Sequence, residues 1–431
     1  MIYVYAPHLT YTPIPGESKY MLNKLQNEWR GPIIFSLLIT MLLSVFLSRA
    51  LLSVSMISFV AYSFFHSGYK EQIRNFFASP LLWGMSLLFL LPLVSGLWSE
   101  DKSAWMGIMR IKLPLFMLPL AFAAPFGLPS RAWEWIAFIF IGLVCAGAGW
   151  SLYNYLMDIN EMNEGYLRAK SIITPLGNDH VRFSWLVTVA ILLAGWLWIS
   201  GKKYSGFSIA VFTVVIAGLI IFLHILAART GLFSFYLAVG TILLWLLVKK
   251  KKILQGIVII VALVCLPLAA YFILPTFHNR VHYILYDIDH LTSSGYLPGS
   301  NDGVRIISIK SGWEILNQHP AAGVGFGDIY HVTQSWYSTH YPAMQETDRI
   351  YPSSEWMIYG AGCGWLGLLI FTGVMLIPFL LPMRDRLIWW LLNLTAAFSF
   401  MFDIGLEVQF GVFVYAFIIL CCWKWWKIGK T

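Results

Sequence analysis

Apolar runs dominate this chain. Stretches of roughly sixteen to twenty-six residues with few charges recur from residue 33 to residue 423, separated by short polar breaks. About 20 apolar residues in a helix span the hydrocarbon core of a bilayer. In lipid every backbone N–H and C=O must be paired within the protein, so such runs become helices. Twelve segments qualify: 33–48, 51–66, 79–98, 108–125, 132–157, 181–200, 205–225, 229–248, 253–275, 356–381, 386–402 and 405–423. Composition agrees, since the chain is 58% hydrophobic and 12% charged, against roughly 45–50% and 25% in soluble domains. The expected fold is an all-α integral membrane protein with about twelve transmembrane helices, one polytopic domain over 1–431 in a lipid bilayer.

Charge sets the orientation. With the N-terminus inside, seventeen of the 29 Lys and Arg residues fall in inner segments, among them "KKKK" at 249–252 and "GKK" at 201–203. Sixteen of the 21 acids fall outside. This is the positive-inside pattern, and it places both termini in the cytoplasm. The net charge of +8 is thereby explained by membrane anchoring, and no nucleic-acid partner is implied. The mixed, polar first thirty residues do not read as a cleavable signal. The five cysteines lie in apolar stretches without CxxC spacing, so neither a disulfide framework nor a metal site is expected.

Three outer segments interrupt the apolar pattern: 99–107, 158–180 and a loop of about 80 residues at 276–355, read as an inserted subdomain between helices 9 and 10. Loops of that length usually carry function. Its middle, "DGVRIISIKSGWEILNQHP", reads as a helix with Asp302 as N-cap and Ile306, Ile309, Trp313 and Leu316 on one face. The run "HPAAGVGFGD" reads as a tight turn, because it lacks the strand and helix that flank a dinucleotide-binding glycine loop.

Three arginines stand apart from the inner set. Arg182 enters a helix at "GNDHVRFSW", Arg229 sits in "HILAARTGLFSFY" and Arg305 opens the loop helix. Guanidinium groups make bidentate, permanently charged contacts to phosphate oxygens, so three on one side of a membrane can clamp a diphosphate. The bland reading is that each snorkels to the interface or pairs with an acid. His180 is a further hydrogen-bond donor to phosphate, a base, or a structural interfacial histidine. Glu355 and Asp403 sit at outer helix ends, as general bases or as ordinary caps. His319, His331 and His340 share no metal-ligand spacing, and no G-x-S-x-G elbow is present.

The chain resembles the O-antigen ligase and polymerase superfamily of bacterial envelope glycosyltransferases, most strongly from about residue 175 to 370. The likeness rests on "AARTGLFSFY" with Arg229, and on Arg305 followed by Trp313 and "NQHPAAGVGFGD". It rests also on Gly364 and Gly367, which stand at family spacing from a histidine position that Ser353 fills here, with Ser354 beside it. The resemblance implies a GT-C-like membrane fold whose large, partly helical loop is periplasmic. It implies transfer of a glycan from undecaprenyl diphosphate to a sugar hydroxyl in the bacterial inner membrane, without metal, cofactor or nucleotide sugar. The acceptor is lipid A–core in a ligase and another lipid-linked glycan in a polymerase. Arg182, Arg229, Arg305 and His180 then bind diphosphate. Ser353, Glu355 and His340 are the catalytic candidates, and Ser354 and Trp356 line the acceptor site. A transporter of lipid-linked glycans is the rival from another class. It calls for paired mid-membrane charges and repeat symmetry, which the sequence does not display.

Overall fold

The computed structural model describes residues 28–168, 170–200, 206–293 and 295–427. Lys19, Lys24, Lys202, Lys203, Lys430 and Glu17, part of the charge pattern above, lie outside the described residues. Each of the twelve expected segments is helical. Among the described residues nine helices are long and apolar enough to cross a membrane. Tyr69–Ala78 and Pro80–Ser95 make a tenth only as a pair bent by 84°, while Arg49–Ser63 and Arg386–Met401 are apolar but shorter. The chain is an all-α integral membrane protein.

The 84° bend has a local cause. Pro80 opens its helix at the first turn and forces Ser79 into an extended conformation (φ −106°, ψ 108°), as expected of a residue before proline. The preceding helix is amphipathic. Tyr69, Ile73 and Phe77 are exposed at i, i+4 and i+8, whereas Gln72 and Phe76 are buried. Gln72 donates to the Leu120 carbonyl at 2.8 Å. Such a helix suits the plane of an interface better than a crossing.

Glu355–Leu380 departs most from expectation. The sequence predicts one helix over 356–381, but Cys363 (φ −133°, ψ 17°) and Gly364 (φ 67°, ψ −162°) leave helical geometry. The two arms then fold back on each other. Trp356 Nε1 donates to Thr372 Oγ1 at 3.0 Å, and the Tyr359 and Phe371 rings stack with centroids 4.7 Å apart. In a straight helix residues 356 and 372 would lie about 24 Å apart. The segment is therefore a helical hairpin whose short arm, 355–362, runs down the side of the long arm, 365–380.

The glycine-rich turn fills this break. Val324 N–H donates to Ala361 O at 2.8 Å, Gly325 N–H to Gly362 O at 3.0 Å, and Trp365 N–H to Pro320 O at 3.0 Å. Backbone groups freed by the break thus find partners, as buried peptide groups must. The turn's other side is gripped by the preceding bundle. Phe326 N–H donates to Ser95 Oγ at 3.1 Å, and the Asp328 carboxylate accepts from Glu100 and Asp101 N–H at 2.7 and 2.8 Å. Gly364 is required here because its φ is left-handed and a Cβ would collide with the Pro320 carbonyl.

The segment 276–355 holds the helices Asp302–Gln318 and Ile329–His340 and most of Pro275–Ser293. Asp302 is not the N-cap that its sequence position predicts. It is the first helical residue, and Asn301 before it makes no side-chain cap bond. Asp287 caps the helix instead, accepting from the N–H groups of Asn301, Asp302 and Gly303 at 3.0, 2.7 and 3.3 Å. The buried face is also rotated from the expected one. Of the four apolar residues read on one face, Leu316 is buried and Ile309 half-buried but Ile306 and Trp313 are exposed, while Ile307, Ser308, Ser311, Gly312 and Ile315 are buried. Small residues win that face because the hairpin approaches closely: a Cβ on Gly312 would lie 2.7 Å from Met357 Cβ and 2.8 Å from Pro352 Cβ.

Two outcomes follow for the hairpin. Trp356→Cys with Thr372→Cys should be bridged within one chain by a short bis-thiol reagent, seen by mass spectrometry; a straight helix gives no bridge. Gly364→Ala should destabilise the protein by roughly 2–3 kcal/mol or more, from strain at positive φ plus the steric clash, read as a lowered unfolding temperature in detergent.

Candidate functional site

Helix ends on the side of the bundle bearing the 276–355 segment bring the polar residues together. The chain turns sharply between Gly206–Leu226 and Arg229–Val248, with Ala227 at φ 47°. Ala227 and Ala228 are buried, so this corner has no room for larger side chains, and Arg229 becomes the first residue of its helix. That helix then presses against His180–Ser200. Thr188 Oγ1 donates to Gly231 O at 3.0 Å, and a Cβ on Gly231 would meet the Ser184 backbone carbon at 2.8 Å. The close approach sets Arg229 beside the start of the helix carrying His180 and Arg182.

Three arginines converge on His180 at this point. His180 lies within electrostatic reach of Arg229, Arg280, Arg305 and Asp179. Arg229 is in turn within reach of Arg305, Arg280 and Asp287. Arg229 forms an ion pair with Asp302, an acid remote in sequence. Arg305 Nη1 donates to the Phe402 carbonyl at 3.2 Å. Arg280 was not singled out by sequence, where it looks like one more loop cation. It is buried, donates to Lys170 O at 2.6 Å and Ser171 Oγ at 2.9 Å, and its guanidinium lies 4.7 Å from the Tyr166 ring. Burial lowers its pKa from the usual arginine value. Three guanidinium groups within mutual reach, Arg280 buried and Arg229 and Arg305 half-buried, repel one another, and an anion relieves that repulsion.

Arg182 belongs to an adjoining layer. Asp179 accepts from the Arg182 N–H at 3.0 Å and also pairs with its guanidinium. Arg182 Nη2 lies 3.1 Å from Asp403 Oδ2 and donates to Ile404 O at 3.1 Å. Asp403 is buried, and desolvation pushes its carboxyl above the usual range, opposed by Arg182 and Arg305. Arg182, Trp185, Ser399, Asp403, Gly405 and Tyr415 line a cavity of about 20 Å³, room for roughly one water. A larger polar cavity of about 240 Å³ opens among Glu161, Glu164, Arg168, Lys170 and Ser171. Lys170 and Ser171 are the residues that Arg280 bonds, so this cavity shares a wall with the arginine cluster.

The turn at 402–408 joins this layer to Glu355. Glu355 is fully buried, and its Oε1 accepts from Leu406 N–H at 2.6 Å. Its Oε2 is buried without a hydrogen-bond partner. Ser353 and Ser354 are both buried, not set at an open boundary. Ser353 N–H donates to Ser308 Oγ at 3.1 Å, and the two hydroxyls lie 3.0 Å apart. Ser353 thereby ties the end of the loop to the helix that carries Arg305. Trp356 faces the other arm of the hairpin. His340 stacks on Trp336 (centroids 4.6 Å apart), and its Nε2 lies 3.6 Å from Glu314 Oε2. Those contacts hold it within the outer helices, in contact with neither Glu355 nor the arginines. Among the described residues no group of three or more His, Cys, Asp or Glu is arranged to hold a metal ion.

Comparison with known proteins adds one finding. Residues 216–372 match the family described as O-Antigen ligase. The match covers 157 of the 431 residues, and over that stretch the chain is similar to this family. It spans Arg229, Arg280, Arg305, the glycine-rich turn and the break at Gly364; Arg182, Asp403 and Glu407 lie outside it. No curated protein sequence matches the chain.

The cap supplied by Asp287 is open to a direct test. Asp287→Ala removes the acceptor for three N–H groups and should cost about 1–2 kcal/mol locally. Hydrogen exchange across 302–318 should accelerate, while exchange in the helix Gln409–Trp426 stays at the wild-type rate.

Proposed function

We propose that this chain transfers a glycan from undecaprenyl diphosphate to a sugar hydroxyl of lipid A–core, in the bacterial inner membrane with the site facing the periplasm. The observation that supports this reading is the convergence of Arg229, Arg280 and Arg305 around His180 at one end of the bundle. A lipid-linked diphosphate enters from the bilayer with its charged group at the helix ends. The guanidinium groups neutralise the departing diphosphate as the bond to the anomeric carbon breaks, which is an electrostatic form of catalysis. Asp302, paired with Arg229, is the counter-ion that a diphosphate would displace.

The attacking hydroxyl gives up its proton as the new glycosidic bond forms, with inversion at the anomeric carbon. Glu355 takes that role here. Its unpartnered Oε2 is an acceptor already desolvated, and Arg182 lies within electrostatic reach. Ser353, at the position where the family resemblance expects histidine, serves as a structural tie through Ser308. His180 donates to the diphosphate beside the arginines.

Complementation tests the reading. In a strain lacking the gene, surface polysaccharide is followed by gel for Arg229→Ala, Arg305→Ala and Glu355→Gln. Each should lower transfer by about 100-fold or more with normal protein levels. Full transfer by both arginine variants would falsify the diphosphate clamp. Purified protein with lipid-linked donor then separates the acceptors: a ligase caps lipid A–core once, whereas a polymerase lengthens the lipid-linked glycan itself.

A further inference from the structure

Lys112 is a buried cation to which the reading above gives no task. It lies at the end of the helix Lys102–Lys112, inside a segment apolar enough to cross the membrane, and is fully buried. An ammonium group so placed is costly and is retained where it has partners and a role. Lys112 Nζ lies 2.6 Å from Glu407 Oε1 and donates to the Leu406 carbonyl at 3.2 Å. It also sits 5.0 Å from the Tyr359 ring centroid and 5.5 Å from that of Phe326.

Leu406 is therefore held from two sides, its carbonyl by Lys112 and its N–H by Glu355 Oε1. The turn that contains it presents the Phe402 carbonyl to Arg305, and Asp403 and the Ile404 carbonyl to Arg182. Charges within reach of Glu355 are Lys112, Glu407, Asp403 and Arg182. Lys112 and Arg182 are the cations facing Glu355, whose neighbours include two further carboxylates, Glu407 and Asp403, the latter also within reach of Arg305.

We infer that Lys112 is a positioning residue for glycan transfer: it fixes the 402–408 turn and, through Leu406, the place of Glu355, with Oε2 left free for the acceptor hydroxyl. This rests on the reading of the site as a transferase with Glu355 as base. Lys112 touches neither donor nor acceptor and acts through Glu355 and the turn. A purely structural ion pair predicts something different, because replacing both partners of a buried pair by neutral groups is often harmless to stability.

The experiment uses full-length protein in lipid, with synthetic undecaprenyl-diphosphate oligosaccharide as donor and lipid A–core as acceptor. The variants are Lys112→Met/Glu407→Gln, Lys112→Gln and Lys112→Arg, each first checked for its unfolding temperature. In whichever neutral variant folds, kcat should fall about tenfold or more with KM for both substrates nearly unchanged. Lys112→Arg should restore most of that loss. A folded neutral variant that turns over like wild type overturns the inference and leaves the transferase reading standing. Wild-type protein that transfers nothing from the lipid diphosphate overturns both.

Discussion

The hairpin at Cys363–Gly364 is the constraint on which the rest of the structure depends. A straight helix over Glu355–Leu380 would leave Glu355 about 14 Å along the axis from Gly364 on the far side of the break, projecting from the bundle. Folding back instead lays the short arm beside the long one and buries Glu355. The break exposes backbone groups that only another backbone can satisfy at such close range. The turn 320–328 supplies it, and is itself pinned to Ser95, Glu100 and Asp101. From that anchor the helix Asp302–Gln318 runs back with Arg305 on it, and Ser308 meets Ser353. One left-handed glycine thus fixes the relative places of Glu355 and Arg305.

Electrostatics are arranged in two adjoining layers. Arg229, Arg280, Arg305 and His180 form one, rich in cations, with Asp302 and Asp287 nearby. Asp179, Arg182, Asp403, Glu355, Glu407 and Lys112 form the other, where acids predominate. The 402–408 turn lies between them and donates or accepts on both sides. Such a division suits a reaction in which an anion departs at one place while a proton is collected at another. Neither layer would hold its charges without the other, since low dielectric strengthens repulsion as much as attraction.

Much of this was legible in the sequence, for identifiable reasons. The apolar runs are dictated by lipid, so all twelve helical segments could be read from hydropathy alone. Arg229 and Arg305 stand out because arginine beside small or apolar residues on the loop side has no anchoring explanation. The misreadings share a cause. Asp302 looked like a cap, and Ile306 and Trp313 looked inward, because both judgements used spacing within one helix. The real determinants are partners elsewhere: Asp287 from the preceding helix and the hairpin packed on Ser308, Ser311 and Gly312. Arg280 reads as an ordinary outer cation and Lys112 passes without notice in the 108–125 segment, since nothing local reports the depth to which neighbouring elements will bury them. Gly364 and Gly367 stood out only by their spacing from position 353. Only Gly364 carries the left-handed φ, and a spacing pattern gives no warning of it.

The seam between the turn and the broken helix is made mostly of main-chain atoms. Its three bridging hydrogen bonds involve Val324, Gly325 and Trp365 N–H with the carbonyls of Ala361, Gly362 and Pro320, so no side chain takes part in the pairing. Recognition at this joint is a matter of shape, since every non-proline residue offers the same donor and acceptor. What the joint excludes is volume, at Gly323, Gly325 and Gly364, where an added carbon would strike backbone or the Ser99 side chain. Side chains beside such a joint are left free for other tasks, because the backbone alone holds together the architecture that delivers the charged groups.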